Sequence, residues 1–174
     1  MSAATSRPRT AAAARVRLLV LDVDGVLTDG RLYYGARGEA LKVFHVRDGL
    51  GLKLLAAAGV TLAVISGRRS DMTARRCREL GVRHLLQGVE DKLAAFDRLR
   101  SRLAVSPSTC ACVGDDVPDV PLMREVGLSF AVADAHPQAR SAAHVITQLP
   151  GGGGAVREVC DYLLEARRHA AATK

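Results

Sequence analysis

Tryptophan is absent from this 174-residue chain, and aromatic residues make up only 3% of it. Binding of single-stranded nucleic acid relies on aromatic side chains interleaved with cations, so the composition argues against that class. No apolar run approaches the roughly 20 residues of a membrane-spanning helix. A secretory signal is also missing, because no apolar core follows the basic N-terminal residues. The four cysteines, Cys77, Cys110, Cys112 and Cys160, show no C-x-x-C spacing, which removes a zinc half-site of that kind and a small disulfide scaffold. Cys110 and Cys112 alternate in an apolar run and should share one buried face. Reduced thiols in a cytoplasmic protein follow. Gly151–Gly154 lacks the G-K-[ST] of a Walker loop and reads as a flexible hinge before a C-terminal helix. His45 has no second histidine at ligand spacing and reads as a hydrogen-bonded strand residue.

What is present suits one globular domain, with 48% hydrophobic residues and enough length for a complete core. The net charge of +7 is carried largely by the ends, with Arg7, Arg9, Arg15 and Arg17 near the start and Arg167, Arg168 and Lys174 near the finish. Solvated termini account for it, and neither nucleic acid nor membrane is expected as a partner. The Ala-, Ser- and Arg-rich residues 1–15 read as a disordered leader, 16–168 as the functional domain, and 169–174 as a disordered tail.

Aliphatic runs recur at Val16–Leu21, Thr61–Ile65, His84–Gln87, Thr109–Val113, Leu128–Val132 and His144–Ile146. Helix-like segments lie near 49–58, 71–80, 91–103, 119–126, 136–142 and 154–168. Strands apolar on both faces, alternating with helices, imply an α/β fold with a doubly wound parallel sheet. One segment breaks the rhythm. Gly30–Gly49 has two extended halves around Gly35–Gly38 and reads as an inserted β-hairpin, which needs a partner surface because a lone hairpin is marginal in water.

The run Leu18–Leu21 ends in Asp22 and Asp24, and a later run ends in the group Asp115, Asp116 and Asp119. In open parallel sheets, ligands sit outside the carboxyl ends of the strands. If these two strands are neighbours, five carboxylates converge, and such a cluster calls for a cation. Hard oxygen ligands suit Mg²⁺ together with a substrate phosphate. Ser66, just past one strand, and Lys92, at the start of a helix, supply donors for that phosphate.

In order, Asp22-Val23-Asp24-Gly25-Val26-Leu27-Thr28, Ser66, Lys92 and Gly114-Asp115-Asp116-Val117-Pro118-Asp119 resemble the four motifs of the haloacid dehalogenase superfamily. The resemblance implies a Rossmann-like fold, with Asp22 as nucleophile and Asp24 as general acid and then base. It implies Mg²⁺ held by Asp22, Asp115 and the backbone carbonyl of Asp24. Asp116 and Asp119 would orient metal water and lysine, while Ser66 and Lys92 would hold the phosphoryl group. The acid at Asp24 favours phosphate over carbon–halogen chemistry.

The stretches "FHVRDGLGLKLL", "ISGRRS", "QGVEDKLAAF", "GDDVPDVPLM", "VADAHP" and "GGGGAVREVC" narrow the likeness to a small capless branch of the superfamily. That branch implies a phosphomonoesterase acting on a small 2-keto-3-deoxy sugar-acid phosphate, of eight carbons in preference to nine, and a homotetramer in which the hairpins pack together. The substrate carboxylate requires a cation beyond the phosphate, for which Arg47 and Arg68 are candidates. Related chains often carry a polar residue where this one has Gly153. Two other readings are a receiver-type signalling domain, whose phosphoacceptor lies on a third strand, and a non-catalytic tetramerisation module, which need not keep the complete acid set retained here.

Overall fold

The structure is a computed structural model that describes residues 6–172. Six strands form one sheet: β1 (Leu18–Leu21), β4 (Thr61–Ser66), β5 (His84–Gln87), β6 (Cys110–Gly114), β7 (Leu128–Ala131) and β8 (Val145–Ile146). Their spatial order is β5-β4-β1-β6-β7-β8, every pairing is parallel, and β1 lies between β4 and β6. The winding reverses beside β1, which makes its carboxyl end the switch point where ligands bind.

β1, β6 and β7 are buried along their whole lengths, as runs apolar on both faces require. Helices α2 (Val46–Ala57), α3 (Asp71–Leu80), α4 (Lys92–Arg102), α5 (Val120–Glu125) and α6 (Pro137–Ala142) make the crossovers, and α7 (Ala155–Ala172) closes the chain. Right-handed crossovers put α2 and α3 on one face of the sheet and α4 to α6 on the other. The last helix returns to the first face and packs on α2. Phe96, Phe130, Leu52, Leu55 and Leu163 are among the largest fully buried side chains. The four cysteines are free and buried, and burial pushes the Cys77 and Cys110 thiols to about 11 and Cys160 to about 12.

The inserted segment forms β2 (Tyr33–Gly35) and β3 (Gly38–Leu41), an antiparallel pair separate from the main sheet. Seven of the ten exposed large hydrophobic residues among the described residues fall between Leu32 and Leu54, in and around this hairpin and along α2. Together they concentrate exposed apolar surface on one contiguous stretch of the chain.

The expected disordered leader over 1–15 needs correction. Ser6–Ala14 is helix α1, packed on α7 with Ala13 fully buried, and residues 1–5 lie outside the described residues. An alanine-rich run has high helix propensity, and its small side chains allow close approach. Arg167, counted above among the solvated terminal charges, donates from Nη1 to Val16 O at 2.9 Å and from Nη2 to Ala58 O at 2.9 Å, tying three segments together. The expected tail over 169–174 is likewise helical through Ala172, with the last two residues outside the described set.

The N-terminus of α7 is capped from another helix. Asp48 of α2 is buried, and its Oδ1 accepts from Arg157 N at 2.8 Å. Burial raises the Asp48 carboxyl above its usual range, against the lowering effect of that same N–H. A raised pKa means that the stability this group contributes is complete below its unfolded pKa and is lost as pH rises through its folded pKa. Apart from that pH dependence, Asp48→Ala removes the acceptor of the Arg157 N–H and should lower unfolding stability by about 1–2 kcal/mol. Asp48→Asn keeps the acceptor and should cost under about 0.5 kcal/mol at pH 7. Urea unfolding of both variants checks the difference, and equal losses would exclude the capping role.

Candidate active site

The opening requirement, that the two acidic strand ends be neighbours, is met by the direct pairing of β1 with β6, Leu21 beside Val113. Asp22 extends the ladder by donating its N–H to Val113 O at 3.2 Å. Beyond it the chain folds into one tight turn, with the N–H groups of Val26, Leu27 and Thr28 converging on Val23 O. Buried Thr28 pins this turn, its Oγ1 accepting from Gly30 N at 3.2 Å. Gly25 is required here by both conformation and space: φ is +89°, and a Cβ would lie 2.1 Å from Asp115 Oδ2.

Lys92 is the first residue of α4, and its ammonium stands 3.0 Å from Asp22 Oδ2 and 2.7 Å from Asp119 Oδ1. The other Asp119 oxygen accepts from the N–H groups of Asp115 at 3.1 Å and Asp116 at 3.3 Å. Asp119 therefore fastens the β6 loop to the lysine. Asp116 is turned outward and caps the 3₁₀ turn Val117–Asp119 through Val117 N at 2.7 Å. Ser66 ends β4, buried, with Oγ accepting from Arg68 N at 3.3 Å.

Asp22, Asp24, Ser66, Arg68, Lys92, Asp115, Asp116 and Asp119 all line one crevice of about 270 Å³. Arg47 does not. It lines a separate cavity of about 390 Å³ with Leu149, Arg157 and Tyr162, because the first turn of α2 sends Asp48 inward to α7 and Arg47 toward the flank of that helix. His45 is the N-cap of α2, accepting at Nδ1 from Arg47 N at 3.2 Å, and not a strand residue. Sequence reasoning missed Lys42 and Glu39. Lys42 is buried against Asp24 and Glu39. The clue was an acid and a lysine three apart on a hairpin that otherwise looked like a solvated edge.

Electrostatics make the crevice a cation site. Burial, then the charge of Asp119, raises Asp22 to about 6. Burial, then Asp22 and Asp119, raises Asp115 to about 8. Burial also works against the Lys92 ammonium, but Asp22 and Asp119 outweigh it and the net shift is upward. Oxygens of Asp22, Asp115 and Asp119 lie within 4.8 Å of one another, and Asp115 Oδ1 is buried with no hydrogen-bond partner. Both Asp119 oxygens are taken, so Asp22, which Lys92 engages only at Oδ2, and Asp115 are the carboxylates with an oxygen to offer a cation. An all-oxygen donor set with an orphaned buried oxygen fits a hard divalent cation such as Mg²⁺.

The hinge expected at Gly151–Gly154 is instead a packed loop. Gly151 N donates to Asp134 Oδ1 at 2.9 Å and Gly152 N to Val26 O at 3.0 Å. A Cβ on Gly151 would stand 1.7 Å from Gly25 O. The glycines are there so that one backbone can lie on another, and the loop presses on the turn that carries Asp24.

A doubly wound sheet whose switch point carries this acid pair, lysine and second acid cluster defines a class, the haloacid dehalogenase-like hydrolases, and residues 85–157 match the sequence family of that description. The 3-deoxy-D-manno-octulosonate 8-phosphate phosphatase of Escherichia coli K12 is 51% identical over 157 residues, covering 90% of this chain and 84% of that protein. The crystal structure of the Yersinia pestis phosphatase of the same name superposes with a TM-score of 0.90 at 48% identity, over 92% of this chain and 87% of that one. The Moraxella catarrhalis phosphatase, solved in complex with magnesium ion, phosphate ion and KDO, gives 0.90 at 43% identity, over 94% of each chain. This chain belongs to the 3-deoxy-D-manno-octulosonate 8-phosphate phosphatase family of haloacid dehalogenase-like hydrolases.

Gly151→Ala should lower stability by about 1–3 kcal/mol through overpacking. Amide hydrogen exchange should quicken in residues 23–30 while β4 stays protected. Unchanged exchange in that turn would show that the two backbones are not coupled.

Proposed function

We propose that this protein is a Mg²⁺-dependent phosphomonoesterase that hydrolyses 3-deoxy-D-manno-octulosonate 8-phosphate to the free sugar acid and phosphate. The observation that carries this reading is the meeting of Asp22, Asp24 and Asp115 beside Lys92 in one crevice, in a chain half identical to phosphatases of that name.

In the mechanism, a carboxylate oxygen of Asp22 attacks phosphorus. The bond from phosphorus to the sugar oxygen breaks with its electron pair on that oxygen, which takes a proton from Asp24. Asp24, now a carboxylate, removes a proton from water. The water oxygen attacks phosphorus and the Asp22–phosphorus bond breaks, releasing phosphate and restoring both acids. Lys92 and Ser66 hold the phosphoryl oxygens, and Lys92 in turn is held by Asp119, which also fixes the Asp115 backbone. Asp22, Asp115 and the Asp24 carbonyl would hold Mg²⁺, which supplies charge stabilisation for the transferring group. Asp116 stays at the mouth, and Arg68 is the cation best placed for the substrate carboxylate. Arg47 lies outside the crevice of its own chain.

The reading includes a cytoplasmic homotetramer. Its support is the exposed apolar stretch from Leu32 to Leu54, which a neighbour's hairpin would cover. No helix among the described residues is long and apolar enough to cross a membrane. Light scattering of the purified chain should give four times the mass of 18.5 kDa.

A phosphate-release screen over sugar-acid phosphates of eight and nine carbons, with hexose phosphates as controls, tests the substrate. The eight-carbon ester should lead, and preference for the nine-carbon ester would move the assignment to the related sugar acid. Asp22→Asn should lower turnover by at least about 10³-fold without loss of fold. Chelation should abolish release and added Mg²⁺ restore it. Activity retained in Asp22→Asn would end the nucleophile assignment.

A further inference from the structure

The hairpin β2–β3 shares no strand pairing with the main sheet, yet it places one charge deep in the molecule. The Lys42 side chain, just past β3, is only 1% exposed. A buried ammonium is stable only when paired, and Lys42 has two partners: Asp24 Oδ1, with which it forms a direct ion pair, and Glu39 Oε1 at 3.2 Å. Arg68 closes the circuit, with Nη2 3.4 Å from Glu39 Oε2 and Nε 3.7 Å from Asp24 Oδ2. Two acids and two cations, drawn from the β1 loop, the hairpin and the β4 loop, form a neutral quartet.

The two cations stand differently toward the crevice. Arg68 lines it beside Asp24, whereas Lys42 does not line it. Lys42 therefore reaches the chemistry only through Asp24, whose Oδ1 it occupies while Oδ2 stays on the Arg68 side. A carboxylate gripped at one oxygen cannot rotate freely, and a proton donor held within reach of its acceptor gains from that restriction.

We infer that Lys42 is a positioning residue for Asp24: carried in by the hairpin, it fixes which carboxyl oxygen faces the leaving group and so couples docking of the hairpin to proton transfer. This inference rests on the reading of Asp24 as the acid and base. In the step it governs, the proton moves from Asp24 to the sugar oxygen as the bond from that oxygen to phosphorus breaks and the bond from Asp22 forms.

The test uses two esters that differ in their need for that proton. The alkoxide leaving from 3-deoxy-D-manno-octulosonate 8-phosphate requires it, while the nitrophenolate leaving from p-nitrophenyl phosphate departs without it. Lys42→Met should lower kcat on the sugar ester by about 10²-fold, with KM changed less than about threefold and p-nitrophenyl phosphate turnover lowered less than about fivefold. Equal falls on both esters, or no fall, would overturn the inference. Should Lys42→Met fail to fold, as judged by circular dichroism, Lys42→Arg keeps the charge but displaces the carboxylate. It should show the same selective loss at about three- to tenfold, and an unchanged ratio there overturns the inference equally. Asp24→Asn separates this result from the underlying reading. If that variant lacks the selective loss, the acid–base role of Asp24 fails, whatever Lys42 does.

Discussion

The ammonium of Lys92, held between Asp22 and Asp119, is the interaction on which the active rim depends. Three carboxylates from two strand ends meet within a few ångströms, and their mutual repulsion would open the crevice if nothing offset it. One ammonium offsets part of the charge and leaves a deficit that a divalent cation fills. The upward shifts of Asp22 and Asp115 come first from burial and then from the neighbouring carboxylates that make up that deficit. Because Lys92 opens α4 and is buried at the sheet edge of that helix, its position is set by core packing as much as by its partners.

The same rim shows how backbone contact serves chemistry. Gly25 lets the Asp115 carboxylate approach the turn after β1, and Gly151 lets a distant loop lie on the same turn. Asp24 is thus carried on a segment packed against both, with Thr28 bonding it internally. In the proposed reaction, where Asp24 donates and then accepts a proton, such fixed surroundings keep the same atom at the same place for each step.

The hairpin brings these themes together. Its apolar exterior is exposed while its one buried charge reaches Asp24. Among the described residues no second domain closes the crevice, and the hairpin, apolar and exposed on its outside, is the inserted element whose lysine touches Asp24. That contact is electrostatic and short-ranged, and it belongs to a compensated quartet of charges.

Much of this was legible in the chain itself. Buried strands announce themselves as aliphatic runs, and each functional motif stands where such a run stops, so strand positions, the doubly wound sheet and the ordered acids of the rim all follow from local pattern. Other features depended on contacts between remote segments. Residues 6–14 look like a solvated leader until α7 offers them a surface, and Arg167 looks like a stray terminal charge until two carbonyls meet it. Gly151–Gly154 has the composition of a hinge, and only the backbone lying against it makes it a clamp. Arg47 sat in a suggestive motif but faces another cavity, while Lys42 sat in an unremarkable hairpin but faces Asp24. Sequence determined which elements form and where their acids end, because those depend on neighbours along the chain. Tertiary structure decided which charges pair and which backbones touch, because those depend on distances that no local pattern encodes.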